Sequence, residues 1–313
     1  MRVLVLTNMY PTESNVYSGI FVRDQVEALR AIGLEIDVLH INNADKLNYF
    51  RAIPRLWRKI RDERYDLIHA HYVHSGWIAR MQTRLPVIVT SHGSDTMGHE
   101  GWFLKRLYPL VDALTITSKQ NQDRIGLHET YLLPCGVDTE VFKPQDIRRA
   151  RSLVGWDLDR KVMLYVGRDS APKRLDIIKQ AHAVVESQRS DVDLFLATAV
   201  NHEDIPAYMN AADVFVFASE TEGAPVVIKE AMACNLPVVS VDVGDVREVI
   251  ASSEGCFICD RNAESMAVHV LRVIERGERS NGRETAIQYS STAIAHKILS
   301  IYESVLSKRN TEG

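Results

Sequence analysis

Short apolar runs alternate along almost the whole chain with longer stretches in which apolar residues recur at helical spacing. That alternation is the signature of parallel sheets assembled from strand–helix–strand units, so the predicted fold class is α/β. In the first half the predicted strands are residues 2–6, 35–40, 66–70, 87–90, 113–116 and 131–133. Between the first two lies the clearest helix, 20–31, where Phe21, Val22, Val26 and Leu29 share a face and Gly33 supplies a stop. The pattern restarts after Pro144 with a charged helical stretch and a strand at 162–166. Further strands are predicted at 192–197, 214–218, 237–241 and 256–258, and a long helix at 293–306. No internal repeat or low-complexity tract interrupts this order.

A chain of 313 residues exceeds what one hydrophobic core usually organises, so two domains are expected. Their division is placed within 141–146, giving domains 1–143 and 144–290, with the terminal helix of 291–313 able to pack back on the first. Doubly wound domains of this kind bind ligands in the crevice outside the carboxyl ends of their strands. Two of them facing one another would enclose a cleft there. The loops to search are therefore 7–19, 91–98, 134–138, 167–174 and 219–225.

Charge adds little to this picture. With 37 basic and 41 acidic side chains, no global field points to nucleic acid. The amino terminus lacks the basic start, apolar core and small-residue cleavage site of a secretory signal. No apolar run approaches the roughly 20 residues a membrane-spanning helix needs. Four cysteines are few for this length and suit a reducing compartment, so a cytoplasmic protein is expected. Cys256 and Cys259 have metal-ligand spacing but no second ligand pair nearby, and they read as small residues of a buried strand. No metal site is expected.

Three strand-end loops carry candidate chemistry. Residues 219–232 read as a strand end, a polar turn and a helix start, with Glu222 at the turn and Glu230 about two helical turns on. Amides at a helix start suit phosphate or sugar oxygens, and both carboxylates can address one extended ligand. On spacing alone, an ordinary helix-start glutamate with a solvated partner explains the pair as well. The loop 166–174 holds Arg168, Lys173 and Arg174 behind Gly167, a pattern that suits an anion clamp. The loop 90–95 places His92, Gly93 and Asp95 together; a histidine that caps loop carbonyls explains it as readily as one that meets a ligand. His69, His71 and His74 have no carboxylate beside them to complete a metal set and read as packing and loop residues. The chain contains neither a G-x-x-x-x-G-K-[ST] loop, nor a G-x-G-x-x-G turn after the first strand, nor a G-x-S-x-G elbow.

Taken together these segments resemble the retaining family-four glycosyltransferases of the GT-B fold over nearly the whole chain. Pro11 with 19–23 resembles the family's first loop and helix, and 68–72 its third strand. Residues 91–95 and 134–138 are similar to its H-G-x-D and P-x-G-V-D elements, Gly167, Arg168 and Lys173 to its phosphate clamp, and Glu222 through Glu230 to its E-x7-E element. Residues 206–213 and 229–235 resemble most the bacterial members that build exopolysaccharide or teichuronic-acid-like polymers.

The resemblance implies a nucleoside-diphosphate sugar as co-substrate, a saccharide or lipid-linked acceptor, and no metal or other cofactor. It implies that Arg168 and Lys173 hold the diphosphate, Glu222 binds sugar hydroxyls, Glu230 binds the ribose and His92 lies near the transferred sugar. Gly19, Gly167, Gly223 and Ala224 would line the donor. In this fold the acceptor is expected to attack on the face that the nucleotide leaves, so Glu222 is not read as a nucleophile. A nucleotide-sugar epimerase and a non-catalytic sugar-nucleotide-binding subunit are the alternatives.

Two features depart from the family. Residues 197–205 stand where a glycine-rich turn, a helix and a strand are usually inserted, so the second domain is trimmed. Arg174 stands where a glycine commonly follows the clamp lysine. Finally, 46–64 carries seven basic against two acidic residues, a net charge of +5, interleaved with Phe50, Ile53, Trp57 and Ile60 at near-helical spacing. That pattern suits peripheral contact with an anionic membrane surface, and equally a helix packed on the first domain.

Overall fold

The computed structural model describes residues 1–12 and 18–312. Its elements run β1 (Arg2–Thr7), α1 (Ile20–Ala31), β2 (Glu35–His40), α2 (Leu47–Asp62), β3 (Leu67–His71), α3 (Val73–Ala79), β4 (Val87–Ser91), α4 (Gly98–Leu107), β5 (Ala113–Ile116), α5 (Lys119–Ile125) and β6 (Tyr131–Leu132). They continue with α6 (Ile147–Val154), β7 (Lys161–Val166), α7 (Leu175–Gln188), β8 (Val192–Ala197), α8 (Ile205–Ala211), β9 (Val214–Phe217) and α9 (Val226–Ala233). After these come β10 (Val238–Val241), α10 (Val246–Ile250), β11 (Phe257–Cys259), α11 (Ala263–Arg276), α12 (Arg283–Ala286) and α13 (Ser291–Glu312). Side-chain oxygens of Ser118, Asp146 and Asn262 cap α5, α6 and α11.

The chain divides into two compact units, one of Met1–Gly136 with Ser291–Gly313 and one of Val137–Ser290. Sequence reading puts the division at 143/144, whereas the structure crosses at Gly136/Val137. The reason is packing: Val137 and Phe142 are both buried in the core of the second unit.

In the first domain six parallel strands run in the order β2-β1-β3-β4-β5-β6. The period-two alternation of β1 sends Val3 and Val5 to one face and Leu4 and Leu6 to the other, and both faces are covered, as a parallel sheet requires. One face packs on α1 and α13, whose Ile294, Ala295, Ile298, Tyr302 and Val305 join Val22, Val26 and Leu29. The long helix, predicted as 293–306, thus serves the first core although it follows the second domain in sequence.

In the second domain five strands take the order β11-β10-β9-β7-β8. Counted from β7, this is the same winding as in the first domain: the chain reverses direction of growth after β8, just as it does after β2. The switch points therefore lie between β1 and β3 and between β7 and β9. Ligand crevices of doubly wound sheets open at such points because successive loops there diverge to opposite faces. The edge strand β8 is partly covered by an aromatic cluster in which Phe195 and Tyr208 stack at 4.9 Å and Trp156 meets both edge-on.

Candidate functional site

At the second domain's switch point the loops after β7 and β9 come together. The amide of Glu220 donates to the Pro172 carbonyl at 2.8 Å, which ties one loop to the other. Across this tie Lys173 Nζ lies 2.5 Å from Glu222 Oε1, with both side chains mostly screened from solvent. Lys173 also sits 5.5 Å from the centre of the buried Phe217 ring. The clamp lysine and the first glutamate of the sequence are thus directly paired.

Gly167 holds φ at 147°, and a Cβ there would come within 2.7 Å of the Tyr165 hydroxyl. That hydroxyl donates to the Arg168 carbonyl at 3.0 Å and fixes the turn. The Arg168 side chain projects into solvent and forms no ion pair among the described residues. Arg174 holds φ at 51°, the left-handed conformation that a glycine adopts without steric cost, and it pairs with Asp176 and Glu220.

Glu230 lies on α9, is 6% exposed, and accepts from His202 Nε2 at 3.0 Å. His202 belongs to the shortened segment between β8 and α8 and stacks edgewise on Phe142. Sequence reading had no means to find this partner, since an irregular loop carries no periodicity. It also left out Lys229 and Asp245. Lys229 is completely buried and reaches Asp245 Oδ2 at 2.6 Å, while Asp245 Oδ1 is buried without a hydrogen-bond partner among the described residues. Burial pushes the Asp245 carboxyl upward against the pull of Lys229. Gly223 and Ala224 occupy the turn between Glu222 and α9, with Ala224 buried.

In the first domain the candidate groups collect at the carboxyl ends of β3 and β4. His71 and His92 meet ring to ring, Nδ1 to Nε2, at 2.9 Å. His69 is held on both sides, by the Tyr302 hydroxyl at 2.6 Å and by Thr90 Oγ1 at 2.7 Å. Burial pushes His69 and His92 down to about 3 and His71 well below the usual imidazole range, so all three rings are neutral. Asp95 accepts from Ser91 Oγ and from the amides of His92 and Val73. Burial raises its carboxyl to about 6 despite those bonds. Gly19 caps α1 at φ 69°, where a Cβ would collide with the Met9 carbonyl at 2.3 Å, so a close approach inside the loop itself already demands glycine. Residues 13–17 of that loop lie outside the described residues.

The basic segment forms α2, but its apolar stripe is split. Ala52 and Leu56 are buried and Tyr49, Ile53 and Ile60 pack on the core, whereas Leu47, Phe50 and Trp57 face solvent beside Arg51, Arg55 and Arg58. Among the described residues no group of three His, Cys, Asp or Glu side chains is placed to hold a metal, and no helix is long and apolar enough to cross a membrane. Cys256 and Cys259 are free thiols, and burial raises both.

Two doubly wound domains with polar loop clusters at their switch points define a GT-B architecture. The comparisons agree. Sucrose-phosphate synthase from Thermosynechococcus elongatus superimposes with a TM-score of 0.80 at 20% identity, over 98% of this chain and 100% of that one. Residues 2–141 match the family described as Glycosyltransferase Family 4, and residues 193–292 the family described as Glycosyl transferases group 1. A Bacillus subtilis (strain 168) protein named as the teichuronic acid biosynthesis glycosyltransferase TuaC is 25% identical over 87% of this chain and 89% of its own length. The D-inositol 3-phosphate glycosyltransferase of Mycobacterium tuberculosis (strain F11) is 28% identical over 58% of this chain and 48% of its own. Each half of the chain thus matches a glycosyltransferase family, and the chain is a glycosyltransferase.

Proposed function

We propose that this enzyme is a retaining glycosyltransferase that moves a sugar from a nucleoside-diphosphate sugar to a saccharide or lipid-linked acceptor in polysaccharide assembly. The observation that carries the reading is the Lys173–Glu222 pair at the second domain's switch point, with Arg168 exposed on the same loop and Glu230 buried on the helix that follows. A nucleotide sugar has a diphosphate flanked by a ribose and a hexose. Arg168 and Lys173 meet the diphosphate, Glu222 accepts hydrogen bonds from sugar hydroxyls, and Glu230, steadied by His202, accepts from the ribose. Gly167, Gly223 and Ala224 let the backbone approach.

Departure of the nucleoside diphosphate leaves negative charge on the phosphate as positive charge grows on the sugar. Cations fixed before the reaction stabilise the first, and no divalent ion is called on for that task. Pairing with Glu222 keeps Lys173 in place before the donor arrives, which lowers the entropy lost on binding. The acceptor oxygen attacks on the face the nucleotide leaves, so neither glutamate forms a covalent intermediate. The teichuronic acid relative supports a sugar-polymer acceptor.

The exposed face of α2, with Phe50 and Trp57 among arginines, suits peripheral contact with an anionic bilayer beside a lipid-linked acceptor. Replacing Trp57 and Arg58 with alanine is expected to reduce flotation with anionic liposomes; unchanged flotation removes that contact from the account. The donor reading is tested by thermal unfolding against a panel of nucleoside-diphosphate sugars. At least one should raise the Tm of the wild type and fail to do so in Glu222→Ala. A panel with no stabilising member, or equal stabilisation of the variant, contradicts it.

A further inference from the structure

A lysine is rarely taken fully out of water unless it gains a partner, and α9 buries one completely. Lys229 stands among Ile228, Ala231 and Met232, all without exposed surface. Its ammonium meets Asp245 Oδ2 at 2.6 Å and lies 5.4 Å from the centre of the Tyr289 ring. The pair is a poor stabiliser. Asp245 is 6% exposed, and its second oxygen is buried without a hydrogen-bond partner among the described residues, so part of the cost of desolvating the carboxylate is uncompensated. Apolar side chains of similar volume would hold α9 to the loop after β10 at least as firmly. They would not supply direction, because apolar attraction is non-directional whereas a charged hydrogen bond fixes one distance and one angle.

The loop that receives this bond lies against the turn that carries Glu222. Gly244, directly before Asp245, holds φ at 63°, and a Cβ there would come within 2.7 Å of the Gly223 carbonyl oxygen and 3.2 Å of Pro225 Cδ. Lys229 belongs to the helix that the turn opens, four residues after Pro225. Two consecutive residues of one loop therefore brace the segment 223–229 at both ends, Gly244 at Gly223 and Asp245 at Lys229.

We infer that Lys229, Asp245 and Gly244 are positioning residues for the donor turn: the buried pair holds the loop after β10 against Gly223, and that contact fixes where the Glu222 carboxylate and the amides of Gly223 and Ala224 stand before the donor arrives. This rests on the reading of the turn as a donor contact. The pair itself touches no substrate. It acts on the rate because a small misplacement of the groups that meet the donor is costly even when its source lies outside the site.

The test separates position from stability. Lys229→Met with Asp245→Val replaces the pair by apolar side chains and should unfold near the wild-type urea midpoint. In this variant deuterium uptake by the ligand-free turn, 219–225, should rise while uptake by β7 and β10 stays as in wild type, and kcat at saturating donor should fall roughly 10- to 100-fold. Wild-type uptake at the turn, or wild-type kcat, in the folded double variant overturns the inference. Gly244→Ala leaves the ion pair in place and presses a methyl group on the Gly223 carbonyl. It should loosen the turn and slow turnover in the same way, and it decides the question if the double variant does not fold; wild-type uptake and kcat in the alanine variant overturn the inference as well. Full turnover by Glu222→Ala would instead reject the turn as a donor contact, while the exchange data still judge whether the pair holds it.

Discussion

Glu222 and Lys173 hold one another in place, and in the proposed donor complex each meets a different part of the donor. Glu222→Gln keeps the size and the hydrogen-bonding oxygen but loses the charge that anchors Lys173. We expect kcat to fall more than tenfold in this variant while stability stays within about 1 kcal/mol of wild type, since an ion pair that water still reaches in part contributes little to stability. Steady-state kinetics beside urea denaturation check both halves of that statement. Arg174 is the contrasting case. Its left-handed backbone costs roughly 1 kcal/mol that glycine avoids, and its ion pairs with Asp176 and Glu220 are solvent-exposed. Arg174→Gly should therefore change stability by less than about 1 kcal/mol in urea denaturation; a larger loss would mean that the arginine organises the loop.

Helix α9 carries Glu230 on one side and Lys229 on another, and the buried Lys229–Asp245 pair ties it to the start of α10. Lys229→Met leaves a buried carboxylate uncompensated and should cost about 3–5 kcal/mol in the second domain; Asp245→Asn in the same chain should recover much of it. Urea midpoints of the single and double variants decide this. The neighbouring strands β3 and β4 make the first domain acid-labile. Between about pH 3 and the unperturbed imidazole value near 6.5, the unfolded chain binds protons that His69, His71 and His92 refuse when folded, so stability is lost as pH falls. Asp95 opposes them: its folded value of about 6 lets the native state keep a proton that the unfolded chain releases down to about 4, which adds stability as pH falls. Three rings outweigh one carboxyl. The urea midpoint of the first domain, followed by Trp57, Trp77 and Trp102 with Trp156 replaced by phenylalanine, should drop between pH 7 and pH 5; a flat or rising midpoint would show the rings to be charged.

At the scale of the whole chain, α13 returns to the first domain's core, where Tyr302 also supplies the hydroxyl that holds His69. Removing Ser291 onward should make the first domain protease-sensitive while a fragment near Val137–Ser290 survives limited digestion; equal resistance of both would contradict the shared core. Much of this organisation was legible in the chain. The helix at Ile20–Ala31 and the strands Glu35–His40, Ala113–Ile116 and Val192–Ala197 coincide with the predicted spans, because two-sided burial of a parallel sheet leaves short apolar runs bounded by turns. What escaped was pairing between distant residues. His202 with Glu230, Lys229 with Asp245 and His71 with His92 each join elements that only the winding of the sheets brings together, and no local pattern marks them. The position of the division was missed for a related reason, since Val137 and Phe142 look like loop residues until the second core is seen to bury them. Donor activation by the switch-point loops of the second domain is read out by acceptor-dependent release of nucleoside diphosphate at saturating donor. Lys173→Ala, folded as wild type, should lower kcat by about 10²- to 10³-fold; turnover close to wild type in that variant would mean that these loops do not activate the donor.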